Sequence, residues 1–169
     1  MFTIKNKEKD TINIEKMTIK KAFKLIGLGG TFDHLHEGHR LLLSTAAKLG
    51  DHIALALTTE ALLKNKKHHD QLESYETREK NVCDYLEREI GLSSEDYTII
   101  PLSDPYGPAI TDSTLEAHIS SLETHDTAIK INEMRVEKGL PPMILIIIPI
   151  VFNSAGIKMS STEIRSKIK

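Results

Sequence analysis

Four short runs of this chain are apolar with almost no interruption: FKLIGLGG from Phe23, HIALALTT from His52, YTIIPL from Tyr97 and MILIIIPI from Met143. A strand with one wet face alternates apolar and polar residues, whereas a strand covered on both faces has no need to. The intervening stretches carry apolar residues at helical spacing. GHRLLLSTAAKLG, ETREKNVCDYLEREIG and HDTAIKINEMRVEKG each close on a glycine, and SSTEIRSKIK opens on serines that make good caps. EAHISS, from Glu116, is expected as a short fourth strand, and the turn-rich SDPYGPAITDST as a loop. Strands alternating with helices predict an α/β domain, a doubly wound Rossmann-like parallel sheet of about five strands with helices on both faces. Such sheets bind ligands beyond the carboxyl ends of their strands, where strand order reverses. The expected crevice is bounded by Gly29 to His39, the loop after Thr58, and Asn153 to Ser161.

Composition narrows the class. With 169 residues the chain suits one domain, expected over residues 23–169, after a loosely attached extension over 1–22. Residues 1–24 hold seven lysines, three acids and no arginine. A net charge of −2 argues against bulk attraction to nucleic acid or to an anionic membrane. Cys83 is the only cysteine, which excludes an internal disulfide and suits a reducing, cytoplasmic setting. The longest apolar run, Met143 to Phe152, is broken by Pro149 and is too short for a membrane span.

The chemistry is concentrated in GLGGTFDHLHEGH, Gly27 to His39. A dinucleotide fingerprint needs glycine where Phe32 stands, and a Walker loop needs a Gly-Lys-Ser/Thr ending that is missing. A metal reading has His34, His36 and His39 with Asp33 and Glu37 nearby. HEGH, however, spaces its histidines by three rather than the four of the helical zinc motif. A phosphate cradle uses more of the residues. A glycine turn at Gly29 and Gly30 lets backbone approach a ligand, and a helix beginning near Gly38 presents unpaired N–H groups to anions. His36 and His39 then project from the first turn, with Gly38 leaving room between them.

Thr31-Phe32-Asp33 followed by His36, Gly38 and His39 resembles the signature of the His-x-Gly-His nucleotidyltransferases. KMSSTEIR, about 120 residues on, resembles its second half, with Met159 in place of the usual isoleucine. LKNKKHHDQLESYETR, LSDPYGPAITD and SLETHDTAIKINEMRVEKGLPP further resemble the archaeal and eukaryotic phosphopantetheine adenylyltransferases, over nearly all of Leu25 to Ile168. Ser74 stands where that family has proline, and Leu122 where it has a charged residue.

The resemblance implies transfer of the adenylyl group of ATP to 4′-phosphopantetheine, giving dephospho-coenzyme A and pyrophosphate. It implies that His39 contacts the α-phosphate, with His36 assisting, and that Thr31 holds the acceptor phosphate. Gly29, Gly30, Phe32 and Gly38 would form the nucleotide side. Of Lys64, Lys66 and Lys67, the family's position favours Lys64 as the phosphate-binding cation, with Lys67 also near substrate. Ser160, Ser161 and Thr162 would hold the β- and γ-phosphates, and Arg165 would add a charged contact. Asp33 would orient the turn beside the substrate. Mg²⁺ is expected to arrive with ATP, and a monomer is expected. The phosphate motifs alone also fit cytidylyltransferases, flavin or nicotinate-mononucleotide adenylyltransferases, or a non-catalytic nucleotide-binding domain.

Overall fold

A computed structural model describes residues 20–168; the expected extension therefore lies, up to residue 19, outside the described residues. Five strands form one parallel sheet: β1 (Phe23–Gly30), β2 (Gly50–Thr58), β3 (Tyr97–Leu102), β4 (Ala117–Ser121) and β5 (Ile144–Ile148). Their order is β3-β2-β1-β4-β5, so strand order reverses beside β1, between β2 and β4. Four helices connect or follow them: α1 (Glu37–Leu49), α2 (Tyr75–Asp84), α3 (His125–Glu137) and α4 (Ser161–Arg165). The architecture is the doubly wound α/β sheet that uninterrupted apolar strands require.

The pleat sorts residues by size as well as by polarity. Ile26 and Leu28 of β1, with Ile53, Leu55 and Leu57 of β2, are buried in one cluster with Leu43, Ala46 and Ala47 of α1 and Val82 of α2. The alternate positions point to the opposite face. They are Gly27 and Gly29 on β1 and Ala54 and Ala56 on β2, all small, and a cavity stands over them. Leu115, Ile131 and Met143 close that face from the side of α3.

Three details differ from the sequence expectation. The glycines after Leu28 form no turn: Gly29 and Gly30 remain in β1, paired with Ala56 and Leu57 of β2. The left-handed residues are instead Phe32 (φ 50°) and His34 (φ 45°). The second helix is not uniform, because α2 widens into a π turn over Tyr85–Ile90 before Gly91 (φ 86°) ends it. The last helix is short. Residues 152–158 first fold back through a Phe152–Lys158 bridge with Gly156 at φ 72°, leaving only Ser161–Arg165 helical.

Gly50 joins α1 directly to β2 with no intervening loop, at φ −107°. What the position requires is space rather than an unusual dihedral. A Cβ there would stand 2.3 Å from Ile26 Cγ2 and 3.0 Å from Ile26 Cβ. Gly50→Ala should therefore destabilise the fold by about 1–3 kcal/mol, the usual cost of overpacking a core, read as a lower urea midpoint at unchanged slope.

Candidate active site

Between β1 and α1 the chain makes a tight excursion, Thr31 to His36, that holds two non-glycine residues in the left-handed region. Each such residue costs about 1 kcal/mol or more, so the conformation persists only where the surroundings impose it. Here they do. Phe32 is fully buried, and its ring lies against His39 at 5.1 Å between centroids. Asp33 is also fully buried; one carboxylate oxygen accepts from Glu73 N at 2.9 Å and the other pairs with Arg165. His34 N donates to Glu73 Oε2 at 2.7 Å, and its ring bonds Gln71 O at 2.9 Å. Arg78, buried in α2, donates from one nitrogen to the carbonyls of Thr31 and Thr58, each at 2.9 Å.

His36 begins α1. Its Nδ1 accepts from Gly38 N at 3.1 Å, which places the proton of the neutral ring on Nε2. The His36 ring stacks on His39 with centroids 3.9 Å apart and planes 23° from parallel. Burial lowers the pKa of His36 against the opposing pull of Asp33 and Glu123. Burial, reinforced by His36 and Lys66, pushes His39 down to about 3. Its Nδ1 is enclosed and has no hydrogen-bond partner among the described residues. The two rings thus meet neutral. His34 is turned away from them toward Gln71 and Glu73, and among the described residues no group of three or more His, Cys, Asp or Glu is placed to hold a metal ion.

Two cavities meet at this point. The first, about 610 Å³, is lined by Phe32, His36, Gly38 and His39 on one side. Lys67, Ser160, Ser161, Thr162 and Arg165 line it on the other, with Glu123 and Lys158 paired at its edge. The second, about 490 Å³, runs along the small-residue face of the sheet between Leu102, Leu115 and Ile131. Gly29, Gly30, Thr31, Lys66 and Thr124 line both. The junction carries a donor pair: Lys66 Nζ donates to Thr31 Oγ1 at 2.9 Å.

The cytidylyltransferase-like family model matches residues 28–167, spanning both the His36–His39 turn and the last helix. The chain is 37% identical over 152 residues to a phosphopantetheine adenylyltransferase of Methanopyrus kandleri, covering 90% of this chain and 95% of the relative. It is 38% identical to one from Pyrobaculum aerophilum, over 87% and 93% of the two chains. A solved protein of unknown function from Archaeoglobus fulgidus superposes with a TM-score of 0.66 at 31% identity, over 73% of this chain and 87% of that one. The chain belongs to the cytidylyltransferase-like family.

Within this family member, several residues stand in places that spacing did not reveal. Lys64, Lys66 and Lys67 are all exposed over the whole residue, but Lys66 lines both cavities and Lys67 the first, while Lys64 lines neither. Leu63, fully buried, anchors the turn, and Lys66 N bonds back to Leu63 O at 2.9 Å, which carries Lys66 round to the site. Burial lowers the Lys66 pKa, helped by Arg165 and Arg78 and opposed by Asp33. Arg165, 2% exposed, is fully engaged by protein. It pairs with Asp33, donates to Lys67 O at 3.1 and 3.2 Å, and donates to Thr162 Oγ1 at 3.2 Å. It floors the cavity and holds the loop; its charge is spent on Asp33. Ser160 caps α4 by accepting from Glu163 N at 3.2 Å, and Ser161 Oγ donates to Asp33 O at 2.7 Å. Arg78 and His118 escaped the sequence reading. An arginine in a charged helix gives no sign of burial, and a histidine in EAHISS shows its place only through strand alternation.

Removing one partner of a buried ion pair leaves the other unpaired, at a cost of about 3–5 kcal/mol. Arg165→Met should lower stability by that amount in urea unfolding. A second expectation concerns pH. The unfolded chain protonates His39 and His118 near 6.5, the folded chain only near 3 and 4. Between those values the unfolded state binds more protons, so stability falls as pH is lowered from 6.5 to 4. The fall should be shallower in His39→Asn, measured as the urea midpoint against pH.

Proposed function

We propose that this protein transfers the adenylyl group of ATP to 4′-phosphopantetheine, releasing pyrophosphate and forming dephospho-coenzyme A. The observation that carries the reading is the pair of cavities sharing one wall at Gly30, Thr31 and Lys66. The wider one is lined by histidines, serines and Thr162, donors suited to a triphosphate. The narrower one is mainly apolar, as an extended acceptor arm requires. A phosphate at the shared wall has its arm in one cavity and faces a nucleotide in the other.

In the reaction an acceptor phosphate oxygen forms a bond to the α-phosphorus of ATP, and the bond from that phosphorus to the β-bridging oxygen breaks. Pyrophosphate leaves with the electron pair. The nucleophile is already an anion, so no side chain has to remove a proton. The protein's work is alignment and stabilisation of charge on the α-phosphate oxygens. Thr31 and Lys66 hold the acceptor phosphate, and Lys66 offsets the repulsion between two anions. His39, neutral and pressed between Phe32 and His36, offers a fixed N–H donor to the α-phosphate. The hydroxyl protons of Ser160 and Thr162, whose oxygens accept from Glu163 N and Arg165, serve the β- and γ-phosphates, while Ser161 holds the helix start against Asp33 O. Mg²⁺ enters as part of the MgATP substrate, since Asp33 is engaged by Arg165 and Glu73. The chain acts as a cytoplasmic enzyme of coenzyme A synthesis.

Pyrophosphate release from MgATP should require 4′-phosphopantetheine. Removing a preorganised donor to a developing oxyanion costs about 10²–10³ in kcat, the loss expected for His39→Ala. Lys66→Ala should be similarly impaired, while Lys64→Ala stays within about twofold of wild type because it touches neither cavity. Release driven by another phosphorylated acceptor, or by CTP, and not by this pair would overturn the substrate assignment.

A further inference from the structure

The narrow cavity has one imidazole set in an otherwise mostly apolar wall. His118 stands on β4 opposite Gly27 of β1 and Leu145 of β5. Its neighbours on the strand, Ala117 and Ile119, are buried in the core of the opposite face, so alternation turns His118 to the cavity side. A Cβ on Gly27 would come within 3.6 Å of His118 Nδ1 and 3.1 Å of Leu115. The ring therefore lies over backbone left bare by a glycine. Leu115, Ala128 and Ile131 complete this part of the wall.

Burial alone lowers the His118 pKa, to about 4, with no charge or hydrogen bond among the described residues acting on it. At neutral pH the ring is uncharged, with one nitrogen a donor and the other an acceptor. The half-buried ring faces the cavity and is hydrogen-bonded to no protein group among the described residues, so a ligand that displaces water from the cavity can take up its donor and its acceptor. An amide, donor and acceptor in one group, is the matching chemistry.

The position along the cavity selects which amide. Gly27 precedes Gly30 by three residues, placing His118 about 10 Å along the strand from the shared wall. In an extended 4′-phosphopantetheine the proximal amide lies about 6 Å from phosphorus and the distal amide about 11 Å, counted along covalent bonds. We propose that His118 is a specificity residue for the acceptor, its imidazole exchanging a hydrogen bond with the distal amide of the pantetheine arm. The inference rests on the acceptor assigned in the preceding section.

The test is steady-state kinetics of wild type, His118→Leu and His118→Gln with two acceptors: 4′-phosphopantetheine, and an analogue with the distal amide replaced by two methylenes. His118→Leu should raise KM for 4′-phosphopantetheine about tenfold, the equivalent of one lost hydrogen bond, leaving kcat and the KM for ATP within about twofold. His118→Gln, which keeps a donor and an acceptor, should recover most of the loss. The preference of wild type for the natural acceptor over the analogue should disappear in His118→Leu. An unchanged KM in His118→Leu, or an equal loss with both acceptors, overturns the role of His118. Should His118→Leu fail to fold, wild type and His118→Gln still decide: equal KM values for the two acceptors in wild type overturn it. Absence of turnover by wild type with 4′-phosphopantetheine refutes the acceptor assignment itself, and this inference with it.

Discussion

The buried pair of Asp33 and Arg165 is the interaction on which the rest of the site depends. It joins the loop after β1 to the last helix across 132 residues of sequence. Neither group survives alone in a dry interior, so the two segments must arrive together. Around the pair, Glu73 N donates to Asp33 and the carbonyl of Lys67 accepts from Arg165, drawing in the segment after β2. Three distant stretches are thus held at one point. The left-handed Phe32 and His34 are imposed by this clamp, and Phe32 in turn presses on His39.

Above that clamp the site combines two stacked, buried imidazoles with a lysine at the junction of two cavities. His36 and His39 are stacked and kept neutral by burial, so they offer fixed dipoles rather than mobile charges. The positive charge is supplied by Lys66, bonded to Thr31 where the two cavities join. The cavity under α3 follows from a different constraint, the restriction of Gly27, Gly29, Ala54 and Ala56 to one face of the sheet. The same pleat that builds the core against α1 opens a trough on the reverse side.

Much of this was legible beforehand, for identifiable reasons. Parallel strands buried on both faces leave an unmistakable pattern, and all five appear where the apolar runs stand, EAHISS included. The two segments that line the first cavity were legible as motifs, the first from its glycines and histidines before a helix start and the second from its resemblance to the family signature. Less legible was which lysine turns inward. Lys64 and Lys66 are equivalent as letters, and only the turn anchored by buried Leu63 and closed by the Lys66 N–Leu63 O bond brings Lys66 to the cavity wall. Arg165 shows the same limit: the sequence shows a cation, while its partner Asp33 lies at the other end of the chain.

The sequence by itself determined the class of fold, the order of its elements and where its helices start, because these depend on periodicity and on local backbone demands. Tertiary structure alone decided which charges are free and which are consumed, which face of the sheet is hollow, and that Gly29 and Gly30 extend a strand instead of turning it. Those outcomes depend on what each side chain meets across the sheet. Such partners are remote in the chain, and no local pattern encodes a distance between residues that only folding brings together.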